Sequence, residues 1–184
     1  MDQGTSPTKR RLKVDLDGLM VAFEDASPEV TWYLDVETGE TSSIGRDVWR
    51  ELEEVYEEIG PEEATDDASF AAALARRDLQ PWLEEAVEEA YRVEAGFGTR
   101  YLRVPEGDSR AGYRDMEEFI ATIQDSRLQD PLDRAIQGRG AFRRFKDVLG
   151  DYPHERERWF QFRDARLRRR VLEWLEDEGI EAIE

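Results

Sequence analysis

Three arginines and a phenylalanine recur along the last long helical stretch of this sequence at a spacing suited to gripping an anion. At about 100° per residue, Arg158, Phe162, Arg166 and Arg169 gather on one side of that stretch, opposite Phe160, Leu167, Val171, Trp174 and Leu175. An aromatic ring framed by guanidinium groups can stack on a base or hold phosphates. The same pattern arises when a phenylalanine packs under a neighbouring element with arginine stems laid over it, so both readings stand. Upstream, Gly138-Arg139-Gly140 precedes a helix start that carries Arg143 and Arg144. Free amides at a helix N-terminus beside Arg139 suit a phosphate or a carboxylate. No Gly-Lys-Ser/Thr follows, so the segment is not a P-loop, and it lacks the third glycine of the dinucleotide fingerprint. A helix break alone also accounts for it.

Other groups look chemical and read more simply as structure. Asp164 projects into the apolar stripe between Val171 and Leu175. A carboxylate there must be paired, with Arg143, Arg144 or Lys146 as partners, and the expectation is a buried ion pair that fixes helix register rather than a catalytic acid. Glu53, Glu54, Glu57 and Glu58, and again Glu84, Glu85, Glu88 and Glu89, place carboxylates four apart on helices. Di-metal bundles combine such glutamates with Glu-x-x-His on two helices. The chain has one histidine, His154, outside that spacing, so these clusters read as solvated acidic faces. His154 has Asp151 and Glu155 nearby, but no serine or cysteine nucleophile is identifiable for it. There are no cysteines, which excludes disulfides, thiolate zinc sites and cysteine nucleophiles. No catalytic, cofactor-binding or metal-binding residue is assigned.

These residues must be positioned by the following elements. Residues 1–11 read as a flexible tail, and 12–184 as a single α+β domain. Leu16, Leu19, Met20 and Phe23 give a short amphipathic helix. Val30 to Val36 alternates with period two, Glu37-Thr38-Gly39-Glu40 turns, and Thr41 to Ile44 returns, which is a β-hairpin. Thr99 to Val104 offers a third strand beside it, since a lone hairpin is marginal. Helices are expected over Arg46–Ile59, Phe70–Arg77, from Pro81 to Gly96, from Ser109, over Leu128–Ile136 and Ala141–Leu149, and from Pro153 to about Glu178. The fold class is therefore α+β and helix-dominated: an N-terminal hairpin, or three short antiparallel strands, packed with about six to eight helices.

The charge is unevenly distributed. The 184 residues carry a net charge of −18, which repels nucleic acid and anionic membranes as a whole-molecule effect. Residues 1–92 hold 9 Lys+Arg against 24 Asp+Glu, whereas residues 134–170 hold 12 against 5. One reading is that an acidic face packs on an arginine-rich face; the other is that the arginines form an anion site. No apolar run reaches the roughly 20 residues that span a bilayer, and residues 1–13 lack the apolar core of a signal peptide, so the expectation is a cytoplasmic protein that does not engage membranes.

Three blocks resemble a known family. Leu16 to Glu40 (LDGLMVAFEDASPEVTWYLDVETGE) looks like the opening of the bacterial uncharacterised protein family number 0158 of the UPF series. Gly138 to Leu149 (GRGAFRRFKDVL) resembles its central block, and Glu155 to Ile180 its C-terminal block. The resemblance covers most of the chain from about residue 12, least so over Pro61 to Asp78. It implies no activity, substrate or cofactor, and suggests that Phe162-Arg163-Asp164 and the Gly-Arg-Gly-Ala-Phe block belong to one structural unit. The functional expectation is a non-enzymatic binding protein, with no cofactor, whose arginine/aromatic surface (Arg139, Arg143, Arg144, Arg158, Phe162, Arg166, Arg169) engages an acidic protein or RNA. The alternative is a small metal-dependent hydrolase or nucleotide-processing enzyme.

Overall fold

The computed structural model describes residues 9–60 and 66–183. Its elements run β1 (Arg10–Lys13), α1 (Leu16–Glu24), β2 (Val30–Asp35), β3 (Thr41–Gly45), α2 (Arg46–Ile59), α3 (Asp67–Arg76), α4 (Pro81–Ala95), β4 (Tyr101–Arg103), α5 (Ser109–Ala121), α6 (Ser126–Ala135), α7 (Ala141–Leu149), α8 (Pro153–Asp177) and β5 (Ile180–Ile183). The α+β, helix-dominated class holds. The chain divides into two compact units, Arg10–Glu106 with the residues from Glu181 on, and Gly107–Ile180 with Lys9.

In the N-terminal unit the hairpin forms as its alternation requires. β2 pairs antiparallel with β3, with Trp32 opposite Ser43 and Leu34 opposite Thr41. β4 adds on the other side of β2, with Tyr33 opposite Arg103, giving the order β3-β2-β4. Tyr33, Ile44 and Tyr101 join one buried cluster with Val48, Leu52 and Val55 of α2, Phe70 and Leu74 of α3, and Val87 and Val93 of α4. Burying each such aliphatic or aromatic side chain contributes about 1.5–3 kcal/mol. Phe70 stacks on Tyr91 with ring centroids 3.9 Å apart.

The surface of this unit is a carboxylate field with few cations. Arg77 sits in a fork, 2.6 Å from Glu51 and 2.5 Å from Glu54, and Arg76 lies 2.8 Å from Glu58. Asp35 is buried beneath Arg100 at 2.7 Å. Burial alone would raise its pKa, but the Arg100 guanidinium and the amides of Glu37 and Thr38 outweigh that and hold it below the usual range.

Two strands escaped the sequence pattern. β1 falls partly within the expected tail: three of its four residues are basic and only Leu12 is buried. Gly179, at φ +74°, ends the helical run, and β5 follows it to pair with β1. Both strands are four residues long, too short for an alternation to stand out, and a pairing partner far along the chain supplies what local propensity lacks.

In the C-terminal unit, α5 to α8 wrap a second core. Met116, Phe119 and Ile120 of α5 meet Leu128 and Leu132 of α6, Phe145 and Leu149 of α7, and Trp159 of α8. Phe145 and Trp159 pack edge to face at 4.8 Å, and Phe119 meets Trp159 at 5.2 Å, an arrangement that adds to the stabilisation from burial.

Candidate anion-binding cleft

α5 begins at Asp108, whose carboxylate caps it by accepting the Arg110 amide at 2.8 Å. That hydrogen bond holds the Asp108 carboxyl below its usual range. The cap fixes the first turns of α5, and with them Arg110 and Arg114, four residues apart and so neighbours on one face. Both are exposed; Arg114 lies 3.6 Å from Asp108, and Arg110 makes no ion pair among the described residues.

Opposite them stands the α6–α7 connection. Gly138 and Gly140 adopt φ of +78° and +76°, left-handed backbone that glycine reaches without penalty. Arg144 holds this loop from within. Its guanidinium donates to the carbonyls of Ala135 at 3.0 Å, Gln137 at 2.6 Å, Gly138 at 3.4 Å and Arg139. It thereby satisfies carbonyls that the end of α6 would leave orphaned. Gly140 is the N-cap of α7 and provides no side-chain cap, so the first amides of α7 have no partner within the helix.

Ser109, Arg110, Tyr113, Arg114, Gly138, Gly140, Ala141 and Phe142 enclose an open cleft of about 460 Å³. No acidic residue lines it. Arg139 is exposed between the two lining glycines, and Arg143, exposed in the first turn of α7, reaches Asp147 only at 3.9 Å. Electrostatically the cleft presents cations, amide dipoles and an aromatic wall. Such a lining suits a phosphate or carboxylate carried by a larger molecule.

The seven residues expected to form one arginine/aromatic surface have different tasks. Arg144 is spent on backbone carbonyls. Phe162 is half-buried, its ring 5.6 Å from Phe119, with Arg166 over it at 5.8 Å; this is the packing alternative raised by the sequence. Arg158 lies over Phe119 at 5.0 Å, reaches Glu155 at 3.0 Å and donates to the Thr122 hydroxyl. Arg166 bonds Asp115 at 3.1 Å and Glu118 at 2.8 Å. Burial opposes its charge, but those two carboxylates outweigh burial and raise its pKa, so it stays a cation. Arg169 is exposed, 3.5 Å from Glu173. Of the seven, Arg139 and Arg143 adjoin the cleft.

Asp164 corrects a second expectation. It is exposed and lies 2.9 Å from its neighbour Arg163. Among the described residues of this unit the buried carboxylate is Asp115 on α5, 1% exposed, held by Arg166 and by Arg170 at 2.9 Å. The projection failed because it assumed one buried face for all 25 residues of α8. The first half buries Trp159 and half-buries Phe162, while the second half buries Leu167, Val171 and Leu175, a face turned by more than a quarter of the circumference. Phe160 is accordingly exposed, not core.

The remaining candidates are peripheral. His154 is exposed in the first turn of α8. Glu54 and Glu58 are engaged by Arg77 and Arg76, and Glu88 faces Arg92 at 3.9 Å. Among the described residues no three His, Cys, Asp or Glu side chains come together as a metal site, and no helix is long and apolar enough to cross a membrane.

Residues 97–184 match the model of the uncharacterised protein family UPF0158. The family resemblance holds for this part of the chain. A UPF0158 protein of Pseudomonas aeruginosa is 33% identical over 66 residues, covering 36% of this chain and 43% of that protein. UPF0158 proteins of Chlamydia muridarum and Chlamydia trachomatis are each 26% identical over 101 residues, 54% of this chain and 30% and 31% of theirs. The matched stretches thus span less than half the length of each relative. No solved structure matches the chain. The UPF0158 match begins at Phe97, so it takes in the whole cleft, whereas the block Leu16–Glu40, expected to carry the same resemblance, lies outside it.

Arg110, Tyr113, Arg114 and Phe142 were not among the residues assigned to a binding surface from the sequence. The available signal was the capped start Asp108-Ser109-Arg110, followed by a second arginine one turn on.

Proposed function

We propose that the protein is a cytoplasmic binding protein that engages an anionic partner through the cleft between the start of α5 and the α6–α7 loop. The observation that carries this reading is the convergence of Arg110, Arg114, Tyr113, Phe142 and the Gly138 and Gly140 backbone around one open volume. Two guanidinium groups one turn apart repel each other, and a bound anion relieves that cost. The arginine reading of the sequence is kept, but its centre moves from α8 to α5 and α7, because Arg158 and Arg166 are held within about 3 Å of carboxylates, whereas Arg114 and Arg143 lie 3.6 and 3.9 Å from theirs. Among the described residues no group of three His, Cys, Asp or Glu supports the metal-dependent hydrolase reading.

The test is a titration of the full chain with inorganic tripolyphosphate, an RNA oligomer and polyglutamate, at low and at physiological salt, beside an Arg110→Glu/Arg114→Glu variant. Binding of at least one probe that weakens as salt rises and disappears in the variant supports the reading. Binding of none at low salt, or binding indifferent to the variant, overturns it.

A further inference from the structure

We infer that the ligand of this cleft is a nucleoside phosphate, a single phosphorylated sugar bearing a planar ring, and not a stretch of acidic peptide. This inference rests on the preceding reading of the cleft as an anion site and adds the aromatic half of the ligand.

The cleft has two chemically distinct walls. Arg110, Arg114 and the amides that open α7 supply charge and hydrogen-bond donors. Phe142 and Tyr113 supply ring faces. Phe142 is 43% exposed, on a helix whose other large apolar residues, Phe145 and Leu149, are fully buried. Leaving such a ring in water forgoes the stabilisation that covering it would bring, and a planar ligand ring can cover it. Stacking on an aromatic side chain is worth about 1–3 kcal/mol per base and tolerates any base, because every base has a π-face.

Gly112 shows that the ring's place is built into α5. A Cβ added there would lie 3.1 and 3.2 Å from the Cε1 and Cζ atoms of Phe142. A mid-helix glycine costs up to about 1 kcal/mol relative to alanine. Here it lets Phe142 lie close against the α5 backbone.

Size and charge choose among anions. A cleft of about 460 Å³ falls within the usual range for a small-molecule site. The net charge of −18 opposes the close approach of a long polyanion but costs a single phosphate far less. A carboxylate peptide would satisfy the arginines and leave Phe142 and Tyr113 without a planar partner.

The experiment is calorimetric titration of the full chain with the four nucleoside monophosphates, ribose 5-phosphate, inorganic phosphate and a hexaglutamate peptide. The variants are Arg110→Gln/Arg114→Gln, Phe142→Ala and Phe142→Leu; the last keeps bulk and removes only the ring. The expected result is nucleotide affinity at least about tenfold above that of ribose 5-phosphate. Both Phe142 variants should erase that margin and leave ribose 5-phosphate binding unchanged, whereas the arginine variant weakens every phosphate. Equal affinity for nucleotide and ribose 5-phosphate, or hexaglutamate binding without nucleotide binding, overturns the inference and leaves the anion cleft standing. Failure of every probe to bind, or binding indifferent to the arginine variant, overturns both.

Discussion

The two units of this chain spend their arginines in opposite ways. Residues 10–106 carry 10 Lys+Arg against 25 Asp+Glu, whereas residues 107–180 carry 15 against 16. In the N-terminal unit each cation is outnumbered, and Arg77 alone meets Glu51, Glu54 and Glu58. In the C-terminal unit the near balance is not a set of one-to-one pairs. Asp115 takes two arginines at once, Arg144 is turned to backbone carbonyls, and Arg110 and Arg139 make no ion pair among the described residues. Net charge therefore says little about where a free cation lies. What decides it is which carboxylates stand within reach, and the nearest to the cleft arginines are Asp108, 3.6 Å from Arg114, and Asp147, 3.9 Å from Arg143.

The contrast is broken most severely at Asp115. Its side chain is 1% exposed and binds both Arg166 and Arg170. Asp115→Ala would remove the buried carboxylate that two partly buried guanidinium groups share, and removing one partner of a buried ion pair typically costs about 3–5 kcal/mol. Chemical denaturation should show that loss. A change under about 1 kcal/mol would mean that the arginines simply swing to solvent, and that the C-terminal unit is as loosely tied as the N-terminal surface.

Arg77→Met probes the other side. The guanidinium bridges Glu51, which is largely shielded, and Glu54, which is half exposed. Solvent weakens such pairs, and methionine keeps the apolar stem. The expected loss is about 1 kcal/mol in the same denaturation measurement. A loss equal to that of Asp115→Ala would erase the distinction between the units.

Much of the scaffold was legible in the residues. The period-two run of Val30 to Val36, the Gly39 turn, the Pro81 start and the Gly96 stop each encode their geometry locally, so β2, β3, α2 and α4 form where the pattern puts them. What was illegible depended on distant partners. β1 and β5 are short strands that exist through each other. Trp159 replaces Phe160 in the core because α8 changes its buried face along its length, which a single helical projection cannot represent. The cleft was half legible: Gly138-Arg139-Gly140 and Arg143 border it, but Arg110 and Arg114 reach it only through the packing of α5 beside α7. The role of Arg144 was hidden because its partners are carbonyls, which have no side-chain signature.

Alkaline pH should loosen the N-terminal unit first. Burial and a 2.7 Å hydrogen bond to Asp67 push the Tyr91 hydroxyl up to about 12. Its ordinary value is about 10. A group whose pKa is raised by folding contributes stability that is complete below its unfolded value and is lost as pH climbs through the folded one. The advantage of the wild type over Tyr91→Phe should therefore be constant up to about pH 10 and fade by about pH 12. Solvent screening keeps that advantage below about 1 kcal/mol. Melting curves of both proteins across that range test it, and an advantage that grows above pH 10 would contradict the hydrogen-bond assignment.

The smallest effect is expected where the sequence promised the largest. Asp164 lies on the open face of α8, its side chain 51% exposed and paired with adjacent Arg163. Surface substitutions away from caps and buried networks change stability by less than about 0.5 kcal/mol. Asp164→Ala should stay within that limit and leave cleft binding unaltered. Measured beside Asp115→Ala, it separates two carboxylates that both neighbour arginines and differ in burial. Equal losses would mean that burial of Asp115 is not what makes its arginines indispensable; a wide gap would assign the cost to the desolvated carboxylate that Arg166 and Arg170 share.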